Sequence, residues 1–417
     1  ETRFDILDRV RELTQGNKLP VTLSIGVGAG ADSLLELGEF AQSSLDLALG
    51  RGGDQAAVKR GNKITFYGGK TSAVEKRTRV RARVIAHALR ETIRESDLVF
   101  IMGHQNPDLD SIGSAIGVLK AVEANGKRGF IILDRSHELS GINQLLTYIE
   151  EEPGLKQAFI EPGAALELVT PYSLLVLVDT HKPSMVISPK LLEAVSRRVV
   201  IDHHRRGEEF VADPLLVYLE PYASSTSELV TELLEYQGEQ IKMNKLEATA
   251  MLAGIVVDTK SFTLRTGSRT FEAAFYLRKQ GAETVLVQKL LKEDLEQYKQ
   301  RSRIVESATL YREQFAIAQA KLEEPYGSIL LAQAADTLLT MKNVIASFVV
   351  GQREDGLIII SARSLGDINV QVLMEKMNGG GHLTNAATQI RDMSLEDAVQ
   401  WLKEVIDEHV EERGVKP

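Results

Sequence analysis

The sequence predicts an α/β protein in which a central parallel-sheet domain is followed by a smaller α/β domain and preceded by a partial α/β segment. Three observations predict it. From residue 97 onward, short apolar runs alternate with helical segments, and such continuous apolar strands mark a parallel sheet covered on both faces. After a helix-rich stretch over residues 245–322, a second β-containing region begins. The first 70 residues carry a few α/β elements, too few for an independent domain of ordinary size. A length of 417 residues leaves room for two or three domains at about 150 residues each.

In the first segment, residues 21–27 predict a strand, 32–49 an amphipathic helix and 63–67 a last strand, with glycine-rich punctuation between. A basic run over residues 76–83 opens a helix that continues to about residue 95 and reads as a solvated linker. Central strands are expected at 98–102, 129–133, 174–178 and 198–201, with helices at 111–125, 138–151 and 189–196. The second β region predicts strands at 328–333, 345–350 and 357–362 and helices at 370–377 and 395–411.

Composition excludes several kinds of chemistry. Hydrophobic residues make up 43%, charged residues 26%, and mean hydropathy is −0.10, the profile of a folded globular chain. Forty-nine basic against 58 acidic side chains leave a net charge of −9, which argues against a broad grip on nucleic acid, and no stable nucleic-acid complex is expected. The absence of cysteine removes thiolate catalysis, cysteine zinc sites, iron–sulfur clusters and disulfides, so a metal must be held by His, Asp and Glu. No apolar run approaches the roughly 18 residues that cross a bilayer, and no signal peptide is visible. The chain opens at Glu1 inside what reads as a mid-domain helix, so a piece of a longer protein, with an upstream membrane anchor, is expected.

His104-Gln-Asn-Pro-Asp108-Leu-Asp110 directly follows the first central strand. Ligands of open α/β sheets sit at the carboxyl ends of strands, so this segment projects one imidazole and two carboxylates into that crevice. Asp110 alone would pass for a helix cap. Three further apolar segments, however, end in Asp179-Thr-His181, Asp202-His203-His204 and Asp258. Acids and histidines at four element ends are what a two-metal site requires. Oxygen and imidazole without sulfur suit Mn²⁺ first, with Co²⁺, Mg²⁺ or Fe²⁺ as alternatives. Two such ions about 3.5–4 Å apart would hold a bridging hydroxide for in-line attack at phosphorus.

In order and residue type, these four motifs resemble the DHH phosphoesterase superfamily. The resemblance implies that His104, Asp108 and Asp179 bind one Mn²⁺, and that Asp110, Asp179, His203 and Asp258 bind the other, Asp179 bridging. It gives Asp202 the task of orienting a histidine and turns His204 toward the scissile phosphate as a contact or proton donor. Asn378-Gly379-Gly380-Gly381-His382, with Ser361-Ala-Arg363-Ser364 shortly before it, resembles the signature of the DHH-associated substrate-binding domain. Glycines there permit close backbone approach, a following helix end would favour anions, and Arg363 could fork onto a phosphate. Ser225-x-x-Glu228 reads first as a capping box, and the resemblance adds a phosphate contact at Ser225.

Arg51-Gly-Gly-Asp54-Gln55 imitates a diguanylate cyclase signature but follows the Ser24-Ile-Gly-Val27 strand, whereas in that family the signature precedes the strand. Residues 1–70 therefore resemble the C-terminal part of a GGDEF-like domain, and Gly52 to Gln55 read as a loop. The expected division is 1–70 GGDEF-like, 71–96 basic linker helix, 97–284 DHH, 285–322 connecting helices and 323–417 DHH-associated domain. That order resembles the GdpP-type bacterial cyclic di-AMP phosphodiesterases. The resemblance implies Mn²⁺-dependent hydrolysis of the cyclic dinucleotide to linear pApA, a homodimer, and the cytoplasmic part of a cell-membrane protein. The same motifs leave open a short-oligonucleotide or 3′-phosphoadenosine 5′-phosphate hydrolase, and a nucleotide-binding regulatory module.

Overall fold

The fold is that of a computed structural model, which describes residues 4–11, 21–68 except 32, 51, 52 and 62, 79–237 except 137, 138, 140 and 208, 241–320, and 327–413 except 354 and 382. The chain divides into two compact units, residues 1–292 and 293–417.

The first unit opens with a three-stranded sheet in the order β1 (Ile25–Ala29), β2 (Gln55–Arg60), β3 (Lys63–Gly68), in which β1 and β2 run parallel and β3 antiparallel. Strand β2 is absent from the sequence expectation, which ends the loop at Gln55 instead of starting a strand there. Asp54 of the Gly-Gly-Asp segment is buried and takes two hydrogen bonds from Arg11 Nε, at 2.9 and 2.8 Å. It is a structural residue.

Six parallel strands form the central sheet: β4 (Leu98–Met102), β5 (Arg128–Ile132), β6 (Phe159–Ile160), β7 (Leu174–Val178), β8 (Arg197–Asp202) and β9 (Leu216–Leu219). Their spatial order is β6-β5-β4-β7-β8-β9. The strands read as unbroken apolar runs because both faces are covered. Val99, Ile101, Val176 and Val178 pack on one face, with the helices Leu109–Ala124, Thr226–Glu235 and Lys245–Asp258. Phe100, Met102, Leu175 and Leu177 pack on the other, with Ala165, Leu191 and Leu192. From β4 the chain moves outward to β5 and β6, then returns to β7 on the opposite side of β4. The crevice between the carboxyl ends of β4 and β7 is therefore the place where such sheets bind ligands.

The second unit is a mixed sheet in the order β10 (Thr309–Tyr311), β11 (Phe315–Gln319), β12 (Ala346–Gln352), β13 (Ile358–Ser364), β15 (Asn385–Ile390), β14 (Gly380–Gly381). Two expectations fail here. Residues 328–333 belong to the helix Ser328–Leu339, whose Leu331, Ala334, Ala335 and Leu338 repeat at helical spacing and are buried. Within the expected connecting helices of 285–322, residues 309–311 and 315–319 are strands, Phe315 and Ile317 packing on one side and Ala316 and Ala318 on the other. The expected helices at 370–377 and 395–411 form as Val370–Lys376 and Leu395–Arg413.

Candidate metal centre

Each group of the centre is delivered by the end of an element. His104 and Asp108 lie in the turn after β4, and Asp108 caps the helix Leu109–Ala124, its Oδ1 accepting the Asp110 and Ser111 N–H groups at 3.0 and 2.9 Å. Asp179 follows β7 in the left-handed region at φ +59, a conformation that costs most side chains 1 kcal/mol or so and that Asp tolerates better than most. His203 and His204 follow β8, and Asp258 closes the helix Lys245–Asp258.

Asp110 is fully buried. The N-terminus of the helix Thr226–Glu235 donates to it: Thr226 N–H to Oδ2 at 2.7 Å and Ser227 N–H to Oδ1 at 2.8 Å. The Thr226 hydroxyl donates to Asp179 Oδ1 at 3.0 Å. Close helix approach makes this possible. A Cβ on Gly254 would stand 2.5 Å from Ser227 Oγ and 2.8 Å from Asp110 Cα. The sequence flags this helix end by its capping pattern and by the resemblance that adds a phosphate contact at Ser225, but it gives no sign that Thr226 and Ser227 hold Asp110 and Asp179 or that Gly254 makes room for them.

His104 Nε2 lies 3.3 Å from Asp179 Oδ2 and 3.9 Å from Asp108 Oδ1. His203 Nε2 lies 3.0 Å from Asp258 Oδ2 and 3.6 Å from Asp179 Oδ1. Three sets of donors arise: His104, Asp108 and Asp179; Asp110, His203 and Asp258; and Asp179, His203 and His204. Within each, the ligand atoms lie within 4.8 Å of one another. All six residues expected to bind metal thus come together.

The electrostatics are those of carboxylates crowded together with imidazoles. Burial, then the charges of Asp179 and Asp258, push the Asp110 carboxyl well above the usual range, and burial raises Asp179 as well. Burial works against the His104 charge, yet Asp108 and Asp179 outweigh it and bring His104 up to about 10; Asp258 and the neighbouring carboxylates outweigh burial at His203 in the same way. Among the described residues, only histidines form ion pairs with Asp108, Asp179 and Asp258. A hard divalent cation fits this donor set, since carboxylates and imidazoles supply oxygen and nitrogen and nothing softer.

Proton release tests the fit. At pH 7 the metal-free His104 carries a proton that a ligand must shed, so Mn²⁺ binding should release at least one proton per chain. Apparent affinity should rise from pH 6 to pH 9. Titration calorimetry in two buffers of different ionisation heat checks this. The sign for metal-free stability is opposite: the contribution of His104 is fully present below its unfolded value of about 6.5 and is lost as pH rises toward about 10.

Asp202 is fully buried and held far below the usual carboxylate range, because hydrogen bonds from His181 and His204 outweigh its burial. Its Oδ1 accepts the His204 N–H at 2.9 Å and lies 2.8 Å from His204 Nδ1, while Oδ2 lies 2.5 Å from His181 Nδ1. The oriented histidines are therefore His204 and His181. His203 Nδ1 is buried without a hydrogen-bond partner among the described residues.

The remaining expected contacts fare differently. Ser225 is buried and caps its helix by accepting the Glu228 N–H at 3.0 Å, but the Glu228 carboxylate turns to the Ser224 N–H at 3.2 Å, so the box is not reciprocal. In the second unit, Arg363 Nε donates to Asp336 at 2.9 Å, which commits part of its fork. The glycine run opens no helix. Gly380 and Gly381 form β14 beside β15, and Cβ atoms on Gly379 and Gly381 would meet the β15 backbone at 2.3 and 2.4 Å, so close strand packing requires those glycines and the helix-end argument for anion binding falls. Gly380 faces open space, and His382 lies outside the described residues.

The parallel sheet and most of this acidic and imidazole cluster lie in a region that matches a DHH-family domain. Residues 98–255 match the DHH family N-terminal domain and residues 314–412 the DHHA1 domain. Residues 1–66 match the GGDEF domain of the cyclic-di-AMP phosphodiesterase GdpP-like proteins. The chain is 59% identical to the cyclic-di-AMP phosphodiesterase GdpP of Geobacillus thermodenitrificans over 100% of its own length, and 57% identical to that of Bacillus subtilis over 98%. It spans 63% of the length of each. The solved structure of an exopolyphosphatase-related protein from Bacteroides fragilis shares the fold, with a TM-score of 0.65 at 20% identity over 78% of this chain and 96% of that one. No helix among the described residues is long and apolar enough to cross a membrane.

Proposed function

We propose that the chain hydrolyses cyclic di-AMP to linear pApA, using two Mn²⁺ ions held by His104, Asp108 and Asp179 and by Asp110, Asp179, His203 and Asp258. The observation that carries the reading is the convergence of those six side chains on one crevice, with only imidazoles, among the described residues, to offset the carboxylates. The 57–59% identity to proteins named for this substrate supports its choice. When bound, the cations supply Lewis acidity toward a phosphoryl group and lower the pKa of water.

The chain's own residues do the rest. Helix N-terminal amides fix Asp110, and the Thr226 hydroxyl fixes Asp179, so the ligands are oriented before substrate arrives. Water attacks phosphorus and loses a proton to solvent, the bond to the ribose oxygen opposite breaks, and that oxygen takes the Nε2 proton of a protonated His204, whose exposed ring is held by Asp202 and regains its proton from solvent. Arg363, Gly380 and His382 are assigned to the nucleotide and Ser225 to the helix cap. The catalytic part is assigned to residues 97–284 and the nucleotide-binding part to 293–417, which takes in the strands Thr309–Tyr311 and Phe315–Gln319, and the assembly is a homodimer, which light scattering checks.

Purified chain with Mn²⁺, offered cyclic di-AMP, pApA and single-stranded DNA, should convert the first to pApA on ion-exchange analysis. Chelation should abolish turnover, and Mn²⁺ should restore it. Cleavage of DNA alone, or of pApA alone, would replace this reading with an exonuclease or short-oligonucleotide hydrolase. No turnover of any of the three would favour a binding module.

A further inference from the structure

His181 has no part in the expected metal set, yet it is 1% exposed and enclosed on several sides. Its ring stacks on Phe210 at 5.2 Å between centroids, and Arg206 in turn lies 4.7 Å over the Phe210 ring. Its carbonyl accepts the Val211 N–H at 3.0 Å. The loop that leaves the Asp202-His203-His204 segment thus wraps back over His181.

The hydrogen bonds fix the state of its ring. The Gly207 N–H donates to His181 Nε2 at 3.2 Å, so that nitrogen is the acceptor and Nδ1 carries the proton. Nδ1 then donates to Asp202 Oδ2 at 2.5 Å. With Oδ2 taken, Asp202 has only Oδ1 left for His204, and that oxygen receives both the His204 N–H and the His204 ring Nδ1. A carboxylate anchored on one side holds its partner imidazole in one tautomer and one orientation, as a singly held carboxylate does not. His204 is left with Nδ1 inward and its 55% exposed side chain offering Nε2 outward.

We infer that His181 is a positioning residue that, through Asp202, keeps His204 Nδ1–H donating inward and Nε2 facing outward, so that the doubly protonated ring can pass its Nε2 proton to the leaving oxygen of a phosphodiester. The inference rests on the phosphodiesterase reading for its consequence, though not for its geometry. Two residues meet this need where a single Asp–His pair would leave a buried carboxylate oxygen without a donor.

The first test uses the metal-free chain with ¹⁵N-labelled histidine at pH 8, read by long-range proton–nitrogen correlation. Wild type should show His204 as the Nδ1–H tautomer. His181→Ala should scramble it, and His181→Asn, whose amide can still donate to Asp202, should restore it. Asp202→Asn, which keeps the volume of the site should the alanine variant not fold, should also scramble it. An unchanged His204 pattern in His181→Ala or in Asp202→Asn overturns the inference.

Kinetics with Mn²⁺ give the second readout. For His181→Ala, kcat on cyclic di-AMP should fall about 10- to 100-fold at unchanged KM, and the asparagine variant should recover most of it. On a p-nitrophenyl phosphodiester, whose leaving group needs no proton, the deficit should shrink to less than about threefold. Equal losses on both substrates overturn the inference. If wild type cleaves no phosphodiester at all, the functional reading fails, and the histidine spectrum still decides whether His181 positions His204.

Discussion

Replacing Asp179 by alanine should lower turnover of cyclic di-AMP about 10³-fold or more and reduce the Mn²⁺ bound per chain, with the central sheet intact. Asp179 contributes to two of the three donor sets and sits within 3.3 to 3.7 Å of three imidazoles. In the proposed two-cation site its loss damages both positions at once. A bound metal supplies several kcal/mol of charge stabilisation in the transition state, and each 1.4 kcal/mol is about a factor of ten. The fold should survive. Only the Asp179 side chain is removed, and the apolar core of β7 beneath it is untouched. Asp179→Asn, better suited than alanine to φ +59, should be as inactive but somewhat more stable. Metal analysis after gel filtration and circular dichroism separate the two effects. Wild-type turnover in either variant would refute the bridging role.

A second large effect is expected where helices touch. Gly→Ala inside an exposed helix ordinarily stabilises by about 0.5–1 kcal/mol. Gly38, in the helix Leu34–Gly50 with nothing within 4 Å of a built Cβ, should follow that rule. Gly254→Ala should do the reverse and destabilise by about 1–3 kcal/mol, because its methyl group would press on Ser227 and on the backbone of Asp110. It should also weaken Mn²⁺ binding, since the amides of Thr226 and Ser227 that hold Asp110 would be displaced. Denaturant midpoints and metal titration of the two variants decide the matter. A gain of stability at Gly254 would mean that the three helices are not packed as described.

Much of the site was legible because its chemistry is written at the ends of apolar runs. Residues 98–102, 174–178 and 198–201 are visibly strands, and each runs into acids and imidazoles within a few residues of its carboxyl end. The hidden part depends on pairing across the chain. The amides that hold Asp110 lie 116 and 117 residues away, and nothing local distinguishes them from an ordinary helix start. His181 stands beside Asp179 in sequence, but its partner Asp202 is 21 residues on. Strand β2, Gln-Ala-Ala-Val-Lys-Arg, lacks alternation and becomes a strand because β1 and β3 flank it. Residues 328–333 open with an apolar run that suits either element, and only Ala334, Ala335 and Leu338 beyond it reveal the helix.

The donors of the centre are spread from His104 to Asp258, and the last of them closes a helix that must dock against the first one. During synthesis, about 150 residues separate the first ligand from the last. At roughly 5–20 residues per second, a nascent chain spends roughly 8–30 s with its early carboxylates made and its final one missing. The full donor set does not exist in that interval. Completion of the donor set is therefore a late event in synthesis, and a chain truncated anywhere between those two positions lacks at least Asp258, the partner of His203.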